Sequence, residues 1–326
     1  MTAIGTPDVL QLADVAPPMQ PTATELAIRL KAAGVNPIDT KLRQRGTFYP
    51  DKMPAILGCD GAGIVEAVGN AVQRFRPGDE VYFCNGGLGD RPGTYAEYAI
   101  VDERFVARKP RTLSFAVAAA APLVLITAWE ALYDRARLQP GQRVLIHAGA
   151  GGVGHVAVQL ARLQGASVAT TVSTGIKAEF VRQLGAECII PYRDTDFVEA
   201  TLAWTNGQGV DVAFDTVGGS TFGKSFEAVQ IYGDVVTILE PDASTNWKIA
   251  RTRNQRISFE LMLTPMLKGL VDDQIAQAKI LEQCARLIDE GKLQIRCDRT
   301  FPLAQAAAAH RLLETGGFCG KLALEI

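Results

Sequence analysis

A chain of 326 residues with 48% hydrophobic and 21% charged side chains is long enough for two domains with sizeable cores. Lys+Arg 33 against Asp+Glu 35 leaves a net charge of -2, which argues against a nucleic-acid footprint or a polybasic membrane surface. The opening M-T-A-I-G-T-P-D-V-L has no basic region ahead of an apolar core, so no secretory leader is expected, and the most apolar window, 115–128, is too short and too broken by Pro122 to span a bilayer.

In chain order, residues 1 to about 120 read as β-rich, with nothing resembling alternating strand and helix. Residues 24–32 alternate in part, 61–69 read as a strand framed by glycines, 76–79 as a turn, 80–84 as a strand and 94–101 as strand-like. Short strands at this spacing suggest a small barrel or sandwich. Ser114 is a candidate helix cap, and 127–136 reads as a helix. Then comes R-V-L-I-H-A-G-A-G-G-V-G-H-V-A-V-Q-L-A-R (143–162), followed by regular alternation: strands at 166–172, 187–191, 210–215 and 233–239, helices at 177–184, 194–204 and 221–229. That pattern predicts a parallel sheet covered on both faces. From 258 the alternation stops. A long amphipathic helix over 272–290, a helix over 304–314 and a terminal strand at 321–326 are expected to return to the first domain.

Gly149, Gly151 and Gly154 form G-x-G-x-x-G between a strand and a helix, the order that a dinucleotide site needs. The first glycine permits the turn, the second lets backbone approach a pyrophosphate, and the third lets helix and strand pack closely. Ala150, Gly152 and Val153 complete the turn, whose helix end offers N–H groups to the phosphates. About 20 residues on, where an acid would take a ribose 2′-hydroxyl, the chain reads Val172-Ser173-Thr174-Gly175-Ile176-Lys177. Two hydroxyls and a lysine suit a 2′-phosphate, so NADPH is expected rather than NADH. Cys59, Cys84, Cys188, Cys284, Cys297 and Cys319 are scattered without a C-x-x-C pair, which fits reduced thiols in a cytosol-like compartment. His147, His155 and His310 have no metal-ligand spacing and read as packing or surface histidines.

In order, G-V-N-P-I-D-T-K (34–41), L-G-C-D-G-A-G-I-V-E-A-V-G (57–69), R-P-G-D-E-V (76–81), G-T-Y-A-E-Y (93–98), A-G-A-G-G-V-G (148–154), V-D-V-A-F-D-T-V-G-G (210–219) and G-K-L (320–322) form a specific series. Over nearly its whole length the chain resembles the zinc-independent medium-chain dehydrogenase/reductases of the quinone oxidoreductase, or zeta-crystallin-like, branch. The resemblance implies an α/β chain with a GroES-like β-rich catalytic domain (1–120 and 261–326) and a Rossmann doubly wound NADPH-binding domain (121–260). It implies cytoplasmic, homodimeric hydride transfer from NADPH to a quinone or other conjugated carbonyl. An enone, enal or enoyl thioester reductase, or a non-enzymatic NADPH-binding protein, remains the alternative. A CoA thioester would need basic residues for its phosphates, for which Arg251, Arg253 and Arg256 are the candidates.

By the same resemblance, Asn36 lies near the nicotinamide and acceptor, Asp39 belongs to its loop, and either Phe48 or Tyr49 faces the acceptor. Asn36, Asp39 and Tyr49 are therefore the catalytic candidates. Thr127 falls near the cofactor, Tyr192 and Lys321 near its adenosine or phosphate end, and Val217 and Gly218 on the nicotinamide side. The zinc branch carries a Cys where this chain has Asn36 and His-Glu where it has Cys59-Asp60. The four-cysteine structural lobe that branch carries after Cys84 is absent, and Cys59 and Asp60 alone do not supply the three or four converging ligands zinc needs, so no catalytic zinc is expected.

Overall fold

The computed structural model describes residues 1–16 and 20–326. Its elements run β1 (Glu25–Val35), α1 (Pro37–Arg45), β2 (Asp60–Val68), β3 (Glu80–Cys84), β4 (Tyr98–Asp102), β5 (Val106–Arg108), α2 (Phe115–Ala119) and α3 (Pro122–Trp129). Next come β6 (Arg143–Ile146), α4 (Gly152–Leu163), β7 (Ser167–Val172), α5 (Gly175–Gln183), β8 (Cys188–Pro191) and α6 (Phe197–Trp204). They continue with β9 (Val210–Asp215), α7 (Gly219–Ala228), β10 (Val229–Thr237), α8 (Trp247–Thr252) and β11 (Arg256–Phe259). The last are α9 (Thr264–Lys268), α10 (Val271–Asp289), β12 (Cys297–Pro302), α11 (Ala306–Thr315) and β13 (Lys321–Glu325). The chain divides into two compact units, Met1–Leu125 with Leu263–Ile326, and Ile126–Met262.

The first unit holds a seven-stranded sheet in the order β12-β13-β1-β2-β3-β5, with β4 also paired to β1. β1 is its longest strand. Leu26, Ile28 and Leu30 alternate into a core with Val65, Val81, Phe83 and Val101, each such burial contributing roughly 1.5–3 kcal/mol. From Ala32 to Val35 every residue of β1 is buried, and that end pairs with β13.

A helix not foreseen in this β-rich stretch, α1, follows β1 directly. Asn36 and Asp39 form a capping box at its start, and Pro37 takes the first helical position, where its missing N–H costs nothing. The apolar window is two helices: Ser114 Oγ accepts from the Val117 N–H to cap α2, and Pro122 opens α3. The helix expected over 127–136 thus starts earlier, and it ends in π-type turns over Glu130–Arg135. The strand expected at 94–101 is confined to Tyr98–Asp102, because Thr94 and Tyr95 bond instead to the backbone of Gly58 and Leu57.

The second unit is a six-stranded, wholly parallel sheet, β11-β10-β9-β6-β7-β8. From β6 the chain winds outward through β7 and β8, then returns to β9 on the other side of β6 and winds outward again. The order therefore reverses between β6 and β9, and in such sheets the carboxyl ends of the strands at this point hold the ligand. Phe197, Val198, Phe222, Phe226 and Ala250 from α6, α7 and α8 pack on the sheet residues Leu145, Ala213 and Val235.

Candidate active site

The glycine turn leaves β6 at the reversal point. A Cβ on Gly149 would lie 2.0 Å from Thr170 Oγ1, and one on Gly154 would lie 2.2 Å from the Ala148 carbonyl oxygen. Internal packing therefore demands the first and third glycines. A Cβ on Gly151 would meet only the Ala148 oxygen, at 3.1 Å, and Gly151 has an ordinary extended backbone. The fold therefore demands a glycine here less than at 149 and 154, and no other heavy atom would lie within 4 Å of the added Cβ, which leaves room for a ligand on its outer side. Ala148 itself takes a left-handed φ of 51° and is held there by its N–H bond to Thr171 Oγ1 at 2.9 Å. Ala150 is buried, while Gly152 and Val153 are half-buried at the start of α4.

No side chain caps α4. Helices α5 and α6 are capped: Thr174 Oγ1 accepts from the Lys177 N–H, and the Asp196 carboxylate from Val198 and Glu199; α7, which also starts after a glycine, has no side-chain cap, and the Asp215 carboxylate holds only Val217 and Gly218 ahead of it. The first N–H groups of α4 thus stand ready for an anion at the positive end of the helix. These features fit a dinucleotide pyrophosphate.

Ser173, Thr174, Lys177 and Tyr192 come together at the ends of β7 and β8. Ser173 and Lys177 are half-buried, Thr174 and Tyr192 are exposed, and the Tyr192 N–H donates to the Val172 carbonyl at 3.2 Å. Arg193, which the sequence reading passed over, is exposed beside Tyr192. Val217 is exposed, Gly218 takes a φ of 74°, and Thr127 is buried on α3. Thr171 also reaches His147 Nδ1 at 3.3 Å, and His147 Nε2 lies 2.9 Å from Ser225 Oγ. The Ser225 hydroxyl gives its proton to the Thr221 carbonyl, so Nε2–H of His147 donates to it and Nδ1 accepts from Thr171. Burial pushes the His147 pKa down, and the ring is a neutral strut beneath the turn.

The other predicted residues lie in the first unit. Asn36 is fully buried: its Nδ2–H donates to Asp60 Oδ2 at 2.9 Å, and its Oδ1 accepts from the Lys321 ammonium. An ammonium only donates and a carboxylate only accepts, so this pairing fixes which way the amide faces. Asn36 is thus a link between buried charges, and its amide is spent on them instead of on an acceptor. Lys321, expected at the adenosine or phosphate end of a cofactor, is instead buried and also donates to the Val35 carbonyl at 3.0 Å. Burial pushes Asp60 up and Lys321 down, and the attraction between them opposes both shifts.

Asp39 is fully buried. Its Oδ2 accepts from the Asn36 N–H at 2.8 Å and from the Tyr95 hydroxyl at 3.1 Å. Burial, the largest cause, raises its pKa to about 7, against the lowering effect of these bonds and of Lys321. Tyr49 is half-buried, with the Lys52 ammonium 5.4 Å above its ring, and Phe48 is half exposed. Tyr95, Asp60 and His310 were missed as site residues. Their signals were the G-T-Y-A-E-Y motif, the L-G-C-D-G-A-G run that holds Asp60, and a histidine in an alanine-rich helix.

The residues at 36, 59 and 60 do not fit zinc. Asp60 Oδ1 accepts from the Leu123 N–H at 2.9 Å and its Oδ2 from Asn36, while the Lys321 charge stands beside them. A fixed cation among committed oxygens opposes a metal ion.

Two family descriptions match the chain: "Alcohol dehydrogenase GroES-like domain" over residues 22–111 and "Zinc-binding dehydrogenase" over residues 184–324. Quinone oxidoreductase 1 of Escherichia coli (strain K12) is 32% identical, covering 95% of this chain and 94% of that protein. A crystal structure of an NAD-dependent alcohol dehydrogenase superposes with a TM-score of 0.91 at 32% identity, covering 100% of this chain and 98% of the other. The Escherichia coli quinone oxidoreductase complexed with NADPH superposes with a TM-score of 0.88 at 30% identity, again covering 100% and 98%. The chain belongs to the medium-chain dehydrogenase/reductase family, in its quinone oxidoreductase branch.

Proposed function

We propose that this chain is an NADPH-dependent reductase that transfers hydride to a quinone or a similar flat conjugated carbonyl without zinc. The observation that carries the reading is the uncapped start of α4 behind Gly151, coupled to a β7 exit that offers hydroxyls and a lysine where an acid would select NADH. When bound, NADPH supplies the hydride. The N–H groups of Gly152, Val153 and Gly154 hold the pyrophosphate, and Ser173, Thr174 and Lys177 hold the 2′-phosphate with Tyr192 beside them. Thr127, Val217 and Gly218 border the nicotinamide. Asn36 and Lys321 position the Asp39 loop, and Asp39 and Tyr49 are the polar groups on the acceptor side. We assign residues 1–120 and 261–326 to the catalytic domain and 121–260 to the NADPH domain, in a cytoplasmic homodimer.

A CoA thioester finds less support. Arg256 is paired with Asp234, and Arg253 donates to the Val229 carbonyl at 3.0 Å, so two of the three candidate phosphate partners are engaged. Among the described residues no helix is long and apolar enough to cross a membrane. The test is oxidation of NADPH by the purified protein with 1,4-benzoquinone, 9,10-phenanthrenequinone, an enone, an enal and crotonyl-CoA in parallel. Turnover of the quinones with NADPH preferred over NADH is expected. NADPH binding without turnover of any acceptor would overturn the proposal.

A further inference from the structure

Reducing a quinone consumes one hydride and, per hydride, at least one proton, and the first unit contains a buried chain of groups able to move one. Tyr95 Oη lies 3.1 Å from Asp39 Oδ2 and 3.1 Å from His310 Nε2, although the three residues come from α1, the loop before β4, and α11. Thr94 fixes that loop by donating from its hydroxyl to the Asp60 carbonyl at 2.7 Å, and the Tyr95 N–H bonds to the Leu57 carbonyl at 2.9 Å. Both ends of the chain are unpaired, though shielded from solvent in this structure. Asp39 Oδ1 and His310 Nδ1 are two of only six buried side-chain polar atoms without a protein partner among the described residues. Native interiors leave few such atoms, and two at opposite ends of one hydrogen-bonded chain need a reason.

We infer that Asp39, Tyr95 and His310 form a proton relay, entered at His310 Nδ1 and discharged from Asp39 Oδ1 to the reduced acceptor. This rests on the quinone reductase reading. In its neutral form Asp39 carries its proton on Oδ1, because Oδ2 already accepts from Asn36 and Tyr95. His310 holds its proton on Nε2 and donates it to Tyr95 Oη. In the step, the Oδ1 proton passes to the oxyanion left by hydride transfer. The Tyr95 proton moves to Oδ2, and the Nε2 proton moves to Tyr95 Oη. One proton from solvent binds Nδ1, which is buried and so is reached through a local opening beside α11; each bond broken is matched by one formed and no electrons move in the relay.

The charged surroundings are suited to this. Asp39 is faced by Asp60, Lys321, Tyr95 and Cys59, where burial and Asp60 favour its neutral form near neutrality. His310 is faced by Tyr95 and by Arg43. Arg43 is buried, paired with Glu314 and bonded to the Gly5 carbonyl at 2.7 Å. Burial first, and then the guanidinium, lower the His310 pKa to about 4, so the ring stays neutral and can accept.

The test compares wild type, Tyr95→Phe and His310→Ala with NADPH and 9,10-phenanthrenequinone, with thermal melts to establish folding. Tyr95→Phe is expected to lower kcat about 10²-fold, the lower range for general acid–base catalysis. It should raise the solvent deuterium isotope effect and leave the KM for NADPH near that of wild type. Free imidazole should restore part of the rate to His310→Ala, which a packing role would not allow. A folded Tyr95→Phe with the wild-type rate, pH profile and solvent isotope effect would overturn the relay. Should that variant not fold, an impaired His310→Ala that ignores imidazole would overturn it. The proton store is read separately, without turnover, as the infrared carbonyl band of a protonated carboxylic acid that disappears in Asp39→Asn. Its absence from the wild type at neutral pH would overturn the relay, whereas its presence in a protein inert to every quinone would count only against the quinone reading.

Discussion

Replacing each motif glycine by alanine separates folding from cofactor binding. In Gly154→Ala the new methyl would sit 2.2 Å from the Ala148 carbonyl oxygen and 2.8 Å from Gly149 Cα, both backbone atoms. Helix α4 would have to back away from β6, a strain of about 1–3 kcal/mol by the usual cost of overpacking. Gly149→Ala would meet Thr170 Oγ1 at 2.0 Å, and that hydroxyl is held by the Ile146 carbonyl at 2.6 Å, so it is not free to swing aside. Gly151→Ala meets one oxygen at 3.1 Å with φ at -80°, which alanine accepts. Its stability should fall by about 1 kcal/mol, the usual loss when alanine takes an N-cap position, and by less than in Gly154→Ala. Its methyl would, however, fill the approach to the helix end. NADPH affinity should fall by about tenfold or more, which is ~1.4 kcal/mol. Urea unfolding gives the first quantity and fluorescence titration with NADPH the second. If Gly151→Ala loses as much stability as Gly154→Ala, or binds NADPH like wild type, the assignment of the second glycine to the ligand is refuted.

Lys177→Ala should weaken NADPH by about 10-fold or more while changing NADH affinity little, because only the former carries the phosphate that a charge-assisted bond would hold; equal losses for both, measured by titration, would remove Lys177 from the site. The pH dependence of stability follows from the buried titrating groups. Asp39 is raised from 3.8 to about 7, so between these values the folded chain keeps a proton that the unfolded chain releases, and stability falls as pH rises. The full effect is about 4 kcal/mol at 1.36 kcal/mol per unit, an upper bound for a group with polar neighbours. His310, lowered from 6.5 to about 4, acts in the opposite sense: its contribution is lost as pH falls through that window. Asp39→Asn should therefore gain stability relative to wild type as pH rises from about 5 to about 8, and parallel curves in urea would show that Asp39 is ionised throughout.

The nucleotide-binding unit was legible because its signals are local. Alternation of strand and helix, and three glycines at a fixed spacing, state both the sheet and the turn. The first unit was less so. Asn36-Pro37-Ile38-Asp39 is a capping box with a proline at the first helical position, so α1 had a signal, yet the surrounding strands outweighed it. Strand β12, Cys297–Pro302, reads as polar and half-exposed, with no alternation to announce it. Tyr95 and His310 are 215 residues apart, and nothing short of the fold brings them to Asp39. Lys321 shows the limit of transfer by resemblance. A lysine near the end of the chain suggested a phosphate partner, but β13 pairs with the buried end of β1 and so delivers its ammonium to Val35 and Asn36.

The most direct measurement is quinone-dependent oxidation of NADPH by the wild-type protein, with NADH and the enal and thioester acceptors run beside it and zinc content determined. The account predicts that 9,10-phenanthrenequinone or 1,4-benzoquinone is reduced, that NADPH is preferred to NADH, and that a zinc chelator leaves the rate unchanged. Reduction of only the enal or thioester, or a rate that follows bound zinc, would contradict it.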